Sequence, residues 1–180
     1  MIIIMGMPGA GKSTVLGGVK NTAYKRLNYG DLMFGIAQKK FGLSHRDEMR
    51  KLDIAKQREV QHLVADALSK ETGKVIMDTH CSISTVKGYL PGLPFSLLSK
   101  IKVDGLVLVT APPEDIMRRR KSDTTRVRDA DTIELLREHE DINRAFLAAY
   151  AAYTGAPALI ITNKDNGLEA AVAKLDAILA

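Results

Sequence analysis

The sequence predicts an α/β fold, a parallel β-sheet covered by helices on both faces. Three observations carry that expectation. Short apolar runs alternate with longer amphipathic stretches along the whole chain. The first run passes straight into a glycine-rich turn that ends in lysine and serine. The chain has 180 residues, 46% hydrophobic and 26% charged, which suits one domain with a self-sufficient core.

The first strand is expected at Ile2 to Met5, followed by the turn and by a helix leaving through Ser13, Val15 and Leu16. A weaker strand lies around Ala23 to Tyr29, and a helical insert from Gly30 to Thr72 follows it. In that insert Val60, Leu63, Val64, Ala67 and Leu68 repeat at helix spacing before Gly73 closes the segment. Val75 to Asp78, Leu106 to Thr110 and Ala158 to Thr162 read as further strands. Their apolar runs are unbroken because a parallel sheet buries both faces. Ile142, Phe146, Tyr150 and Tyr153 form the expected core stripe of a helix ending near Gly155. Leu168, Ala171, Val172, Leu175 and Leu179 form that of a last helix. The stretch from Arg118 to Asp131 is too polar for a core and reads, like the insert, as an excursion from a rigid body.

Cys81 is the single cysteine, so neither an internal disulfide nor a multi-cysteine zinc site is expected, and a reducing, cytoplasmic setting follows. The apolar N-terminal run stops at Gly6 without a basic lead, unlike a signal peptide. No run reaches the roughly 18 apolar residues of a membrane span.

The formal net charge is +5, which taken alone suggests nucleic acid or an anionic membrane. Its distribution argues otherwise. Residues 118 to 128 hold Arg118, Arg119, Arg120, Lys121, Arg126 and Arg128 against Asp123, so the remaining chain is neutral. The segment has no aromatic residue for base stacking. A local cationic flap over an anionic ligand is the expectation, with neither nucleic acid nor membrane as partner.

The chemistry is announced by Gly6-Met7-Pro8-Gly9-Ala10-Gly11-Lys12-Ser13, which matches G-x-x-x-x-G-K-[ST] and continues into Thr14. Such a loop turns backbone N–H groups inward as an anion nest. Lys12 reaches the β- and γ-phosphates, and the Ser13 hydroxyl ligates Mg2+. Asp78 ends an apolar strand, where a carboxylate organises that Mg2+ through water. His80 suits a phosphate or base contact as well as a local hydrogen bond.

Asn163-Lys164-Asp165-Asn166 follows the right strand for a guanine-reading loop but has Asn166 where the aspartate belongs, which weighs against a GTPase. Arginines closing over a phosphate loop suit a small-molecule kinase, since phosphoryl transfer needs positive charge and exclusion of water. A nucleic-acid-linked ATPase is the rival from another class.

The residues resemble the archaeal adenylate kinases over nearly the whole chain. The resemblance rests on Gly6 to Thr14, Asn28-Tyr29-Gly30-Asp31, Arg46-Asp47-Glu48-Met49-Arg50-Lys51-Leu52 and Asp78-Thr79-His80. It continues through Gly88-Tyr89-Leu90-Pro91-Gly92-Leu93-Pro94, Asp123-Thr124-Thr125-Arg126-x-Arg128 and Asn143-Arg144. It implies a three-layer phosphate-loop NTPase fold with a five-stranded parallel sheet, all in one domain. Residues 30 to 72 would be the AMP-binding excursion and 118 to 131 a short lid. The activity implied is reversible transfer between ATP and AMP, giving two ADP, with Mg2+ as cofactor; a UMP, CMP or broader monophosphate kinase is the alternative. Lys12, Ser13 and the rest of the loop from Gly6 to Thr14 would bind ATP, with Arg119 on the adenine. Lys12, Arg119, Arg126, Arg128 and Arg144 would be the catalytic cations. Gly30, Arg50, His80 and Lys87 would serve AMP, and the 88 to 94 string would wall that pocket. The family also implies a homotrimer. Ser84, Val86 and Phe34 depart from the family pattern, leaving Arg50 and Lys87 to grip the AMP phosphate.

Overall fold

The computed structural model describes residues 1–122 and 132–180, apart from the side chain of Arg50. In chain order, β1 (Ile2–Met5) leads through the glycine-rich loop into α1 (Lys12–Gly18), then β2 (Lys25–Asn28) and α2 (Tyr29–Phe41). A 3₁₀ turn (Arg46–Lys51) and α3 (Ile54–Leu68) complete the insert before β3 (Val75–Asp78). A hairpin of β4 (Ser82–Thr85) and β5 (Gly88–Pro91) follows, then α4 (Phe95–Leu98) and β6 (Gly105–Thr110). The chain continues with α5 (Pro113–Ser122), α6 (Ile133–Thr154), β7 (Ala158–Thr162) and α7 (Leu168–Leu179).

Five strands pair in parallel in the order β2-β3-β1-β6-β7. Side chains along each strand alternate between two cores, as the pleat requires. Ile3, Met5, Met77, Leu106 and Leu108 pack on one face with residues of α2, α3, α4 and α6. Ile2, Ile4, Ile76, Val107 and Val109 pack on the other with residues of α1 and α7. This is the expected three-layer arrangement. Each of the five strands expected from apolar runs is present.

Three features differ from expectation. The hairpin is an addition, because Ser82 to Pro91 carries too few apolar residues in sequence to signal paired strands. The inward row of α6 is Leu136, Glu140, Asn143, Leu147 and Tyr150, whereas Ile142 and Phe146 are only partly buried and Tyr153 is 44% exposed. Two polar residues occupy that row, so hydrophobic period alone selects a neighbouring face. Residues 118 to 122 of the expected lid form the last turn of α5; its remainder, 123 to 131, lies outside the described residues. None of the described helices is long and apolar enough to cross a membrane.

Leu175 on α7 is fully buried against the second core. Leu175→Ala should therefore lower unfolding free energy by about 2–5 kcal/mol, the range for a cavity in a packed core. Denaturant titration checks it, and a loss under about 1 kcal/mol would show that the α7 layer is loosely sealed.

Candidate active site

The strand order reverses direction at β1, so a crevice opens above its carboxyl end between β3 and β6. The glycine-rich loop fills that point. Its conformation depends on Gly11, which has φ 85° and whose missing side chain leaves room for the Asn163 amide. Asn163 is buried and donates from Nδ2 to Ala10 O at 3.1 Å. Ala10 N–H closes a turn onto Met7 O at 3.2 Å, so this amide is spent within the loop and not offered to an anion.

Lys12 lies 3.2 Å from Asp78 Oδ1, and Asn28 Nδ2 donates to Asp78 Oδ2 at 3.2 Å. The lysine contact lacks hydrogen-bond geometry, which leaves Oδ1 buried without a donor. An orphaned carboxylate oxygen beside Lys12, with the exposed Ser13 next to that lysine in the chain, fits a divalent cation completed by water and phosphate oxygens. Among the described residues no cluster of three His, Cys, Asp or Glu could form a cage on its own. His80 keeps an edge open to solvent, yet desolvation by the site and then the charge of Lys12 lower its pKa to about 4. Its hydrogen bond to the Gly6 backbone opposes that shift. The imidazole is thus neutral near pH 7, when it can hydrogen-bond but contributes no positive charge. Acidification through the interval between its ordinary value of 6.5 and about 4 protonates the unfolded chain first and so disfavours the fold.

On the β7 side, Arg119 is held flat. Nη2 donates to Asn163 O at 3.0 Å and to Asp165 Oδ1 at 2.6 Å, and Nη1 reaches Gly9 O and Ala10 O at 3.4 Å. Arg118 pairs with Asp115 at 2.7 Å and with Asp165, while Arg120 Nε donates to Pro8 O at 2.8 Å. The helical half of the basic cluster therefore finds much of its anionic partner inside the protein. A cleft of about 390 Å³ lies against Arg119, lined also by Gly11, Thr14 and the segment Asn163 to Asn166. With its donors committed, Arg119 offers that cleft the face of its guanidinium, a stacking surface.

On the β2 side, Asn28 caps α2 by accepting from Asp31 N at 3.1 Å. Gly30 follows, and a Cβ there would collide with the Arg46 guanidinium, which pairs with Asp31 at 2.8 Å. The open backbone face at Gly30 is thus covered by Arg46. Lys87 occupies the exposed turn between β4 and β5, and among the described residues its side chain forms no ion pair with the Lys12–Asp78 group. Arg50 lies in the 3₁₀ turn, its side chain outside the described set. Arg126 and Arg128 also lie outside the described residues. Arg144, on α6, is half exposed and lies 3.1 Å from Glu140.

The structure thus gathers Gly6 to Thr14, Asp78 and His80 at one point, with Arg119 on one side and Gly30 on the other. Sequence reasoning did not single out Arg46, Asn163, Asp165 or Glu140. The Asn163-Lys164-Asp165 string was visible as a near miss for base reading, and Arg46 only as part of a motif.

Residues 5–137 match a family described as an AAA domain. The chain is 47% identical to an adenylate kinase of Thermoplasma acidophilum, covering 91% of this chain and 90% of that one. It is 46% identical to an adenylate kinase of Methanopyrus kandleri, with coverage of 96% and 93%. Among solved structures, a shikimate kinase from Acinetobacter baumannii in complex with shikimate superposes with a TM-score of 0.62 at 20% identity. That superposition covers 99% of this chain and 92% of the other, and speaks for the fold alone. With a phosphate loop at the carboxyl end of the first strand and such identity over almost its full length, the chain belongs to the adenylate kinase family.

Proposed function

We propose that the chain transfers the γ-phosphoryl group of ATP to AMP, reversibly, giving two ADP. The observation that carries this reading is the Lys12–Asp78 pair at the phosphate loop, with a cleft against Arg119 toward β7 and the start of the insert at Gly30 toward β2. The cleft of about 390 Å³ follows β7, and Gly30, beneath the Arg46 guanidinium, follows β2 on the other side of the phosphate loop. Two nucleotides held there would meet end to end over the phosphate loop. An AMP phosphate oxygen attacks the γ-phosphorus in line while the bond to the β–γ bridging oxygen breaks. The attacking oxygen is already anionic, so no general base is required.

Alignment and positive charge then carry the catalysis. Lys12 steadies the β- and γ-phosphates, and Arg126, Arg128 and Arg144 balance charge on the group in flight. Mg2+, held by Ser13 and through water by Asp78, would supply Lewis-acid charge to the phosphate oxygens. Arg119 stacks on the donor adenine. Arg50 grips the AMP phosphate, with His80 as a neutral hydrogen-bonding partner and Lys87 contributing charge from the hairpin. Residues 30 to 72 serve as the AMP-binding excursion and 118 to 131 as the lid. A cytoplasmic setting suits the lone Cys81, which is buried and pushed up by desolvation to about 12.

Self-association as a homotrimer has support in exposed apolar residues. Ile83, Val86 and Leu90 of the hairpin stand 48%, 104% and 56% exposed. Phe95 and Tyr153 pair on the surface, with ring centroids 4.6 Å apart.

A coupled assay with ATP and each nucleoside monophosphate tests the reaction. ADP formation dependent on AMP is expected; equal use of UMP or CMP, or phosphate release stimulated by RNA, would redirect the assignment. In the same assay Lys12→Met should abolish turnover while the circular dichroism spectrum stays unchanged, and near-normal ADP production would remove Lys12 from the site. Arg50→Ala should raise KM for AMP far more than KM for ATP, whereas equal rises would exclude it from the AMP side. Sedimentation equilibrium should return three chain masses, and a monomer would withdraw the trimer and leave the chemistry standing.

A further inference from the structure

The inward row of α6 holds an anomaly. Leu136, Asn143, Leu147 and Tyr150 are all at most 5% exposed, and Glu140 sits among them with a side chain only 13% exposed. Both of its carboxylate oxygens are buried and neither accepts a well-formed hydrogen bond from any described residue. The Thr110 hydroxyl and the Arg144 guanidinium lie against the carboxyl, the latter at 3.1 Å, without the alignment of a full bond. Burial raises the pKa of this carboxyl, with Thr110 and Arg144 opposing the rise. An incompletely satisfied carboxylate in a core row destabilises a fold, and a well-packed neutral side chain of the same size would serve packing better. Its presence in that row asks for a role beyond packing.

The surroundings supply one. Ser82 Oγ donates to Asn143 Oδ1 at 2.7 Å, His139 Nε2 meets Ser82 Oγ at 3.0 Å, and Cys81 Sγ reaches Asn143 O at 3.2 Å. These bonds clamp the turn of α6 around residues 139–143 to β4, just beyond the β3 end that carries Asp78. Thr110 ends β6, on the other side of the phosphate-loop strand. Glu140 therefore lies at a rigid point beside the crevice, and among the described residues it pairs with the guanidinium one turn further on, Arg144. Arg144 is 47% exposed; without that contact its long side chain would sample many rotamers.

We propose that Glu140 is a positioning residue, whose buried carboxylate holds the Arg144 guanidinium toward the phosphoryl group in flight. It acts on the rate of transfer and leaves the affinity for either nucleotide alone. The inference rests on the reading of Arg144 given above, and a double-mutant cycle separates the two. Steady-state kinetics are measured for the wild type, Glu140→Gln, Arg144→Ala and the double variant, with a melting curve for each. Glu140→Gln should lower kcat about tenfold or more, with KM for ATP and AMP held within about twofold. Its Tm should be unchanged or higher, because a neutral amide costs less to bury. In the Arg144→Ala background the same substitution should change kcat by less than about twofold. Losses that multiply in the double variant, or a lowered Tm with normal kcat, would overturn the positioning role and leave Arg144 in place. An Arg144→Ala enzyme with undiminished kcat would overturn the reading of Arg144 and this inference with it. If the glutamine variant is too unstable to assay, Glu140→Met, similar in size and without a polar head, takes its place in the cycle.

Discussion

The register of β1 against its two neighbours is the constraint on which the rest of the structure depends. Ile4 stands opposite Asp78 on β3 and opposite Val107 on β6. Because the strands are parallel, their carboxyl ends align, and the segments that follow them emerge along one edge of the sheet. The ladder continues one residue past β3, where Thr79 N donates to Ile4 O at 3.0 Å, and this pins the position of Asp78. A slip of one residue would exchange the faces on which Ile76 and Met77 pack and rotate Asp78 away from Lys12. Fold stability and site geometry are therefore set by the same hydrogen bonds.

The electrostatics of the site divide along α5. Arg118 and Arg119 share Asp165, and Arg118 also takes Asp115, whose second oxygen accepts from Asp165 N at 3.0 Å. This small network lies where the β7–α7 loop meets the end of α5, so the concentrated positive charge is partly consumed in joining those two elements. A count of basic residues overstates what such a cluster offers a ligand. Asp115 answers Arg118 from one turn earlier on the same helix, whereas Asp165 is distant in sequence and meets the arginines only after folding.

The sheet was legible because its strands are buried on both faces and so appear as apolar runs, such as Val75-Ile76-Met77 ending in Asp78. The phosphate loop was legible because backbone geometry there demands glycine and because Lys12 and Ser13 have fixed spacing from it. The inward face of α6 was not, since Glu140 and Asn143 stand where period alone expects leucine. The hairpin from Ser82 to Pro91 was missed for a related reason: its exposed Ile83 and Leu90 break the usual link between apolar character and burial. Arg46 and Asp165 act through contacts with Gly30, Asp31, Arg118 and Arg119, and local sequence carries no record of such pairings.

In the phosphate loop Met7 O accepts from Ala10 N, Pro8 O from Arg120, Gly9 O from Arg119, and Ala10 O from both Arg119 and Asn163. Four consecutive acceptors are thus committed before any nucleotide arrives. The conformational entropy of that loop is lost when the chain folds, and nucleotide association need not bear it again. A triphosphate entering this site would meet a loop already held in shape, so the loop itself would add little to the entropy cost of binding.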